Sequence, residues 1–245
     1  MRDLVAGMRY AFSGLKLITR PGIRLYVLIP LLINAVIFSL VLSYGASLLN
    51  DFINQWLTGW LEWLRWILWP LFIVISMTVI FFCFTIVANL IAAPFNGFLA
   101  EAAENVLTGL KPENDTGIKQ LPAEIIRAVK SESRKFLYFI LWAIPLFILF
   151  FIPVLQIAAP FLWFIFTAWM LSLEYMEFPM GNHGKLFSEI KSTLGKSRPL
   201  VIGFGIGAVI LTMIPVVNFI AIPVAVCGAT RLWVERIKSA PLPTD

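Results

Sequence analysis

The chain has 245 residues, of which 60% are hydrophobic and only 13% are charged, and its mean hydropathy is +0.87. A soluble domain of this length carries about twice as large a share of charged residues, so the composition excludes that class and indicates an integral membrane protein. The formal net charge of +5 does not indicate a nucleic-acid-binding protein, because the lysines and arginines flank apolar runs instead of forming a stripe with interleaved aromatic residues.

Side chains suited to catalysis or to metal binding are scarce. Cys83 and Cys227 both lie inside apolar runs, so the sequence predicts neither a disulfide framework nor a thiol metal site. His183 is the only histidine, which excludes a His-pair metal site and argues against a Ser-His-Asp triad. We therefore predict a protein that is not an enzyme and that uses no metal or cofactor.

Residues 1–19 predict an amphipathic helix that lies in the membrane interface. Its apolar face comprises Leu4, Met8, Ala11, Phe12, Leu15 and Ile18, and its cations, a heptad apart on another face, are Arg2, Arg9 and Lys16. Cations that snorkel and an apolar underside suit the headgroup region of an anionic leaflet.

The five residues Arg20, Pro21, Gly22, Ile23 and Arg24 stand directly before the first long apolar run. Proline favours the first turn of a helix, whose free N–H groups and positive dipole end attract an anion, and arginine forks bind tetrahedral oxyanions such as sulfate or phosphate. Arginine beside an apolar span is also the ordinary cytoplasmic anchor of a membrane helix. The residues alone leave both interpretations open.

Two long apolar segments predict full transmembrane helices, at 22–49 and 71–93. The tryptophan-rich stretch between them, residues 50–70, predicts a helix on the outer surface. A turn at 92–97 is expected to end the second span.

After the second span, residues 98–135 have the composition of a soluble segment and predict a cytoplasmic helical segment. Two paired apolar runs follow, at 136–173 and 200–230, and several of these runs are short for a full crossing. Their joining turns carry no charge, which is typical of helical hairpins that re-enter the membrane. The predicted fold is thus one all-α integral membrane domain over residues 1–245, with two full spans, two half-penetrating hairpins and interfacial amphipathic helices.

The distribution of positive charge predicts the orientation. All but one of the 19 lysines and arginines fall at the N-terminus, in 111–135, in 185–198 or near the C-terminus, and the exception is Arg65. Because basic residues concentrate in cytoplasmic loops, both termini are predicted to be cytoplasmic.

Amide side chains within apolar runs are costly unless they are paired or hydrated, so each is a candidate for the lining of a pore or for an interhelical contact. They are Asn34, Asn89, Gln156 and Asn218. Gly203 and Gly207 form a small-xxx-small pair, for which close helix packing is the prediction, because neither a preceding strand nor a following Lys-Ser/Thr supports a phosphate loop.

The chain resembles the CysZ family of bacterial sulfate permeases nearly from end to end. The blocks that carry the resemblance are Arg20 to Arg24, Ile91 to Glu101, Trp163 to Leu171 and Pro223 to Thr230. The resemblance implies sulfate uptake across the inner membrane to supply cysteine biosynthesis, by a multi-pass protein that forms oligomers.

The resemblance also implies which residues act on sulfate. The sulfate-binding motif of the family falls on Gly22, Ile23 and Arg24, with isoleucine where the family often has leucine, and Arg20 is the flanking basic residue. Apart from this motif, we predict Asn34, Asn89, Asn96 and Glu101 as possible pore-lining residues. Sulfate, membrane lipid and further copies of the chain are the expected partners.

A function of a different class stays open at this point. A membrane scaffold or assembly factor would use the arginines only to anchor lipid and the intramembrane amides only to hold helices together.

Overall fold

The structure is a computed structural model that describes residues 1–57, 59–109 and 121–238, without the side chains of 34, 60, 79–94, 121–130, 215, 216 and 219. The regular elements in these ranges are helices, which confirms the all-α class. They are α1 (Arg2–Leu17), α2 (Arg24–Trp56), α3 (Arg65–Thr108), α4 (Leu121–Ile148), α5 (Ala159–Gly181), α6 (Phe187–Gly195), α7 (Arg198–Met213) and α8 (Pro215–Leu232), with 3₁₀ turns at Gly59–Leu64, Leu149–Phe151 and Leu155–Ile157 and a π-helical turn at Trp233–Ile237.

Contacts divide the chain into two compact units. One unit comprises Met1–Arg24 and Asn96–Asp245, and the other comprises Leu25–Phe95. The second unit holds most of α2 and the first part of α3, and the first unit holds the other helices and the candidate site.

Helix α2 contains 33 residues, which corresponds to a length of about 50 Å at 1.5 Å per residue. It begins at Arg24 instead of Gly22 and ends at Trp56 instead of near residue 49. The predicted surface helix over 50–70 is therefore wrong: this stretch is the end of α2, the 3₁₀ turn Gly59–Leu64 and the start of α3. A tryptophan-rich stretch indicates the membrane interface, but a helix end, a turn and a helix start can place tryptophans there as well as one surface helix can.

Helix α3 contains 44 residues and passes through 92–97 without a break. The turn predicted there is wrong: the run Ala-Ala-Pro-Phe-Asn-Gly at 92–97 contains turn-forming residues, but the backbone stays helical through them. Ala100, Glu101, Ala102, Ala103 and Glu104 are strong helix formers that continue the helix toward Thr108.

The first unit is built on close backbone contacts at glycines. A side chain at Gly203 would overlap the backbone of Leu4, and one at Gly7 would overlap the Leu200 carbonyl group. A side chain at Gly14 would overlap the Val224 carbonyl group, so α1 packs on both α7 and α8. The prediction of close packing at Gly203 is confirmed.

This packing changes the interpretation of α1. Its buried residues are Gly7, Ala11, Gly14 and Leu17, whereas Leu15 of the predicted apolar face is exposed. Three of the four buried residues are glycine or alanine, and such small residues allow the helix axes to approach each other.

Helix α7 contacts α5 on another side. Gly205 approaches the Ala168 backbone, and the Ser172 hydroxyl group lies 2.7 Å from the Val201 carbonyl oxygen and 2.9 Å from that of Ala168. The buried serine therefore has partners on both helices.

The two predicted hairpins differ in length. In the first hairpin, α4 continues through Lys135, where the sequence predicted a boundary, and the segments Ser131–Phe151 and Ala159–Gly181 are long and apolar enough to cross a membrane. In the second hairpin, α7 and α8 contain only 16 and 18 residues and meet at Ile214. Arg24–Trp56 and Leu61–Thr78 also meet the length and composition of a span.

Candidate anion-binding site

The chain between α1 and α2 forms a closed backbone turn, called here the Arg20–Arg24 turn. The Leu17 carbonyl group accepts the Arg20 N–H at 3.0 Å, and the Arg20 carbonyl group accepts the N–H groups of Ile23 and Arg24 at 3.2 Å each. Gly22 has a φ of 91°, a left-handed conformation that glycine adopts without steric penalty. The two arginines therefore stand at the two ends of one turn.

The Arg20–Arg24 turn is open to an external ligand. Arg20, Gly22 and Arg24 are exposed, and a Cβ added at Gly22 would meet no atom of the described residues within 4 Å. The first turn of α2 contains no acidic residue, so the positive end of its dipole adds to the charge of the arginines. An oxyanion can approach this turn without meeting a carboxylate of that helix end.

The two guanidinium groups lack the side-chain partners that many other cations of the described chain have. Within the described ranges, neither the Arg20 nor the Arg24 side chain has a hydrogen-bonding or ionic partner. By contrast, carboxylates bind Lys135, Arg231, Arg236 and Lys238, and two asparagines bind Arg65. The donors of the Arg20–Arg24 turn thus remain available for a ligand.

The amides of the turn are not equivalent. The sequence predicted Gly22 and Ile23 as backbone donors to sulfate, and the structure places both before the first helical residue, Arg24. The Arg20 carbonyl group accepts the N–H groups of Ile23 and Arg24 but not that of Gly22. The candidate donors are therefore the two guanidinium groups, the Gly22 amide and the Ile23 amide, of which the last would share its hydrogen between the Arg20 carbonyl group and the anion.

The predicted pore-lining residues are only partly described. Asn96 is buried, with 8% of its surface exposed, and Glu101 is half-buried five residues later on α3. The side chains of Asn34 and Asn89 lie outside the described part of the structure. Two further amides within apolar runs, Gln156 and Asn218, are exposed.

An ionic cluster that the sequence did not predict joins α3 to the C-terminal turn. The Glu104 carboxylate lies 3.0 Å from His183 Nε2 and accepts a hydrogen bond from Lys238 Nζ at 2.8 Å. The adjacent Asn182 amide donates to the Gly97 carbonyl group at 3.0 Å, two helical turns before Glu104. A lone histidine between two nearby glycines in a charge-poor chain was the available signal, but it did not identify the partner.

The C-terminal π-helical turn also contacts α1. The Tyr10 hydroxyl group donates to Glu235 at 3.0 Å, and Arg236 lies 3.6 Å from Asp3. Burial, followed by the hydrogen bond to Glu235, raises the pKa of Tyr10, so the phenol stays a neutral donor. The two ends of the described chain therefore lie side by side.

A second ionic cluster lies on α4 and α5. Lys135 Nζ contacts the carboxylates of Glu132, Glu174 and Glu177 at 2.9, 2.8 and 2.7 Å. The ammonium group is largely buried, whereas the Glu132 side chain is 63% exposed. The sequence analysis did not predict that these charges meet. Among the described residues, no group of side chains is arranged to hold a metal ion.

Comparison with known proteins gives consistent matches over the chain. The family model described as "Sulfate transporter CysZ/Etoposide-induced protein 2.4" matches residues 10–223. A protein named sulfate transporter CysZ from Pectobacterium atrosepticum is 41% identical, over 97% of this chain and 88% of the relative. Proteins of the same name from Vibrio atlanticus and Pseudomonas fluorescens are 42% and 44% identical, over 97% and 95% of this chain and 95% and 94% of the relatives.

Proposed function

The chain belongs to the family of sulfate transporter CysZ and etoposide-induced protein 2.4, and on that premise we propose that it is a sulfate permease of the bacterial inner membrane. It admits sulfate to the cytoplasm, where sulfate supplies cysteine biosynthesis. The observation that carries the proposal is the Arg20–Arg24 turn, where two exposed guanidinium groups precede a long apolar helix and have no partner in the part of the chain that the structure describes.

The chemistry of the Arg20–Arg24 turn suits sulfate. Sulfate is tetrahedral and doubly charged, and each guanidinium group offers a planar fork of N–H donors that can bind two of its oxygens. The N-terminal end of α2 and the Gly22 amide supply further positive potential without a titratable group. We propose that Arg24 and Arg20 bind the anion and that Gly22 lets it approach the backbone.

The proposed membrane arrangement has two full spans, which contain α2 and α3, and two hairpins. Helices α7 and α8, with 16 and 18 residues, are about 24 and 27 Å long, which is shorter than the roughly 30 Å hydrocarbon core. This length supports a second hairpin that only partly penetrates the membrane. Partial penetration by the first hairpin is supported by its charge-free turn over 152–158. Helix length does not support it, because both helices of that hairpin are long enough to cross.

The proposed orientation places both termini in the cytoplasm. The contacts of Glu235 with Tyr10 and of Lys238 with Glu104 support a common side for the two ends of the described chain, and the charge asymmetry of the sequence selects the cytoplasmic side. Leu32 and Leu40 of α2 are 62% and 65% exposed, which supports a surface that lipid or another copy of the chain covers. Asn96 and Glu101 are the described candidates for lining the path.

The experiment that tests the function is uptake of radiolabelled sulfate by liposomes that contain only the purified protein. We expect uptake above that of empty liposomes, down an imposed sulfate gradient and without ATP. Liposomes that contain Arg24→Ala are the matched control and should show less uptake at low sulfate concentration. Equal uptake with and without protein would contradict the permease proposal and would favour the membrane scaffold.

A further inference from the structure

We propose that the start of α3 binds one anionic glycerophospholipid, with the lipid phosphate on Arg65 and an acyl chain in the adjoining apolar groove. The site belongs to the second unit and includes no residue of the Arg20–Arg24 turn. The inference therefore does not depend on the proposed sulfate site.

A groove of about 560 Å³ runs along the first turns of α3. Its volume is within the range of sites that hold small organic ligands. Apart from one arginine its lining is apolar, and the lining residues share one helix face because they come in neighbouring pairs four residues apart. They are Arg65, Trp66, Trp69, Pro70, Ile73 and Val74. The groove thus has a cation at one end and apolar side chains along the rest.

The charge of Arg65 is not balanced by a carboxylate of the described residues. Its Nη2 group donates to the side-chain oxygens of Asn50 and Asn54, at 3.4 and 3.2 Å, and both acceptors are neutral amides. Asp51 and Glu62 are the acidic residues of this unit, and neither forms an ion pair with Arg65. Because a half-buried guanidinium group beside apolar side chains is stabilised by an accompanying anion, the site selects a negatively charged ligand.

The two asparagines hold the guanidinium group and leave donors for that ligand. Both of their hydrogen bonds use Nη2, so the N–H groups of Nε and Nη1 have no acceptor among the described residues. A phosphate oxygen that accepts from them forms a charge-assisted hydrogen bond, which is stronger than one between neutral groups. Arg65 can therefore keep its amide partners and bind a phosphate at the same time.

The length of the groove matches one leaflet of a bilayer. From Arg65 to Val74 the helix rises about 14 Å at 1.5 Å per residue, close to half of the roughly 30 Å hydrocarbon core. Trp66 and Trp69 lie at the end that holds the cation, and indole rings favour the headgroup level. A glycerophospholipid supplies both a phosphate for Arg65 and a chain that reaches Val74, whereas free phosphate supplies only the first.

Titration of the purified full-length chain with phosphatidylglycerol, followed by native mass spectrometry, tests the site. We expect one tightly bound lipid per chain, and Arg65→Gln should lower its affinity about tenfold, as expected for the loss of one charge-assisted contact. Arg134→Gln is the matched control, because it removes an exposed arginine of α4 in the other unit, and it should bind as the wild type does. Equal affinity in the wild type and Arg65→Gln would overturn the inference.

The role of the groove has its own variant, Val74→Trp. Val74 is 61% exposed, so the larger side chain can be accommodated without repacking, and it should fill the groove and weaken phosphatidylglycerol binding while Arg65 stays in place. Val36→Trp is the control at a 56% exposed position of α2 that does not line the groove. This pair also decides the question if Arg65→Gln does not fold, since wild-type affinity in a folded Val74→Trp protein would contradict the acyl-chain site.

Three further probes separate a phospholipid from other occupants. Phosphatidylcholine, whose own cation offsets its phosphate, should bind more weakly than phosphatidylglycerol, and neither diacylglycerol nor inorganic phosphate should displace the bound lipid. Displacement by inorganic phosphate would identify a free-anion site instead. If the wild type retains no phosphatidylglycerol and Trp66→Cys forms a disulfide between two chains, the groove is an interface between copies and the lipid site is overturned.

Discussion

His183 Nε2 lies 3.0 Å from both carboxylate oxygens of Glu104, although 79 residues separate the two in the chain. Lys238 binds the same carboxylate, and Lys185 lies over the ring of Trp233, which in turn packs beside His183. One largely buried carboxylate therefore joins the end of α3, the loop after α5 and the C-terminal turn.

Replacement of this carboxylate by an amide should loosen the C-terminal turn. Glu104→Gln keeps the shape but removes the charge that offsets Lys238, so the free energy of unfolding should fall by about 1 to 3 kcal/mol. Thermal melting in detergent measures the loss. Glu62→Gln is the control, because Glu62 is exposed and has no partner among the described side chains. Equal melting temperatures for the two variants would show that the Glu104 cluster contributes nothing to stability.

Lys135 offers a test of the second cluster. Lys135→Met leaves Glu132, Glu174 and Glu177 together without their cation. These carboxylate side chains are 63, 48 and 27% exposed, so water screens their repulsion, and we expect the free energy of unfolding to fall by about 1 to 3 kcal/mol. The double variant Lys135→Met, Glu177→Gln should recover part of the loss, because it removes the least exposed of the three carboxylates. Melting of both variants checks this, and no recovery would contradict an electrostatic cause.

Sequence reasoning predicted elements well where the signal is local. Gly203 was assigned to close helix packing from its spacing alone, and the structure confirms this, but its neighbour on α1 depends on the fold and could not be predicted. The same limit applies to Lys135, whose partners Glu174 and Glu177 lie 39 and 42 residues away. Contacts between distant residues depend on how helices pack, which hydrophobic periodicity does not determine.

The predicted helix boundaries were wrong for a different reason. The sequence placed a turn at 92–97 and a boundary after Lys135, and α3 and α4 pass through both. Hydropathy reports the surrounding solvent, and helical hydrogen bonds continue from lipid into water wherever helix-forming residues follow. For the candidate site, the sequence identified the two arginines. The hydrogen bond from the Ile23 amide to the Arg20 carbonyl group could be seen only in the structure.

The glycine contacts of α1 and α7 give a steric prediction. Gly203→Ala places a methyl group against the Leu4 backbone, which can yield only by separating the helices, so we expect a loss of about 1 to 3 kcal/mol or more in unfolding free energy. Gly195→Ala is the control, at a helical glycine where an added Cβ would meet no atom of another described element within 4 Å, and it should leave stability unchanged or raise it by up to about 1 kcal/mol. Similar melting of both variants would refute close packing at Gly203.

The proposed orientation predicts which introduced cysteines react in intact cells. Gln55→Cys lies at an exposed position near the end of α2 and should react with a membrane-impermeant maleimide, whereas the exposed Ser192→Cys on α6 should react only after permeabilisation. The unmodified chain, with Cys83 and Cys227, sets the background. Labelling of Ser192→Cys but not of Gln55→Cys in intact cells would reverse the proposed orientation.

The Arg24 guanidinium group should account for a large part of sulfate affinity. A charge-assisted hydrogen bond contributes about 1.5 to 3 kcal/mol, so Arg24→Ala should weaken sulfate binding by about 10- to 100-fold. Insertion and melting should change little, because Arg9, Lys16 and Arg20 still carry positive charge on the same segment. Arg24→Lys should restore only part of the affinity, since an ammonium group keeps the charge but loses the bidentate fork.

Calorimetric titration with sulfate measures the contribution of Arg24 to binding. Phosphate and chloride are the comparison anions, and Arg198→Ala is the matched control. Arg198 is also an exposed arginine at the start of a helix whose first turn has no acidic residue. We expect Arg198→Ala to bind sulfate as the wild type does. Unchanged affinity in a folded Arg24→Ala protein, together with a loss in Arg198→Ala, would move the anion site to the start of α7 and leave Arg24 as a lipid anchor.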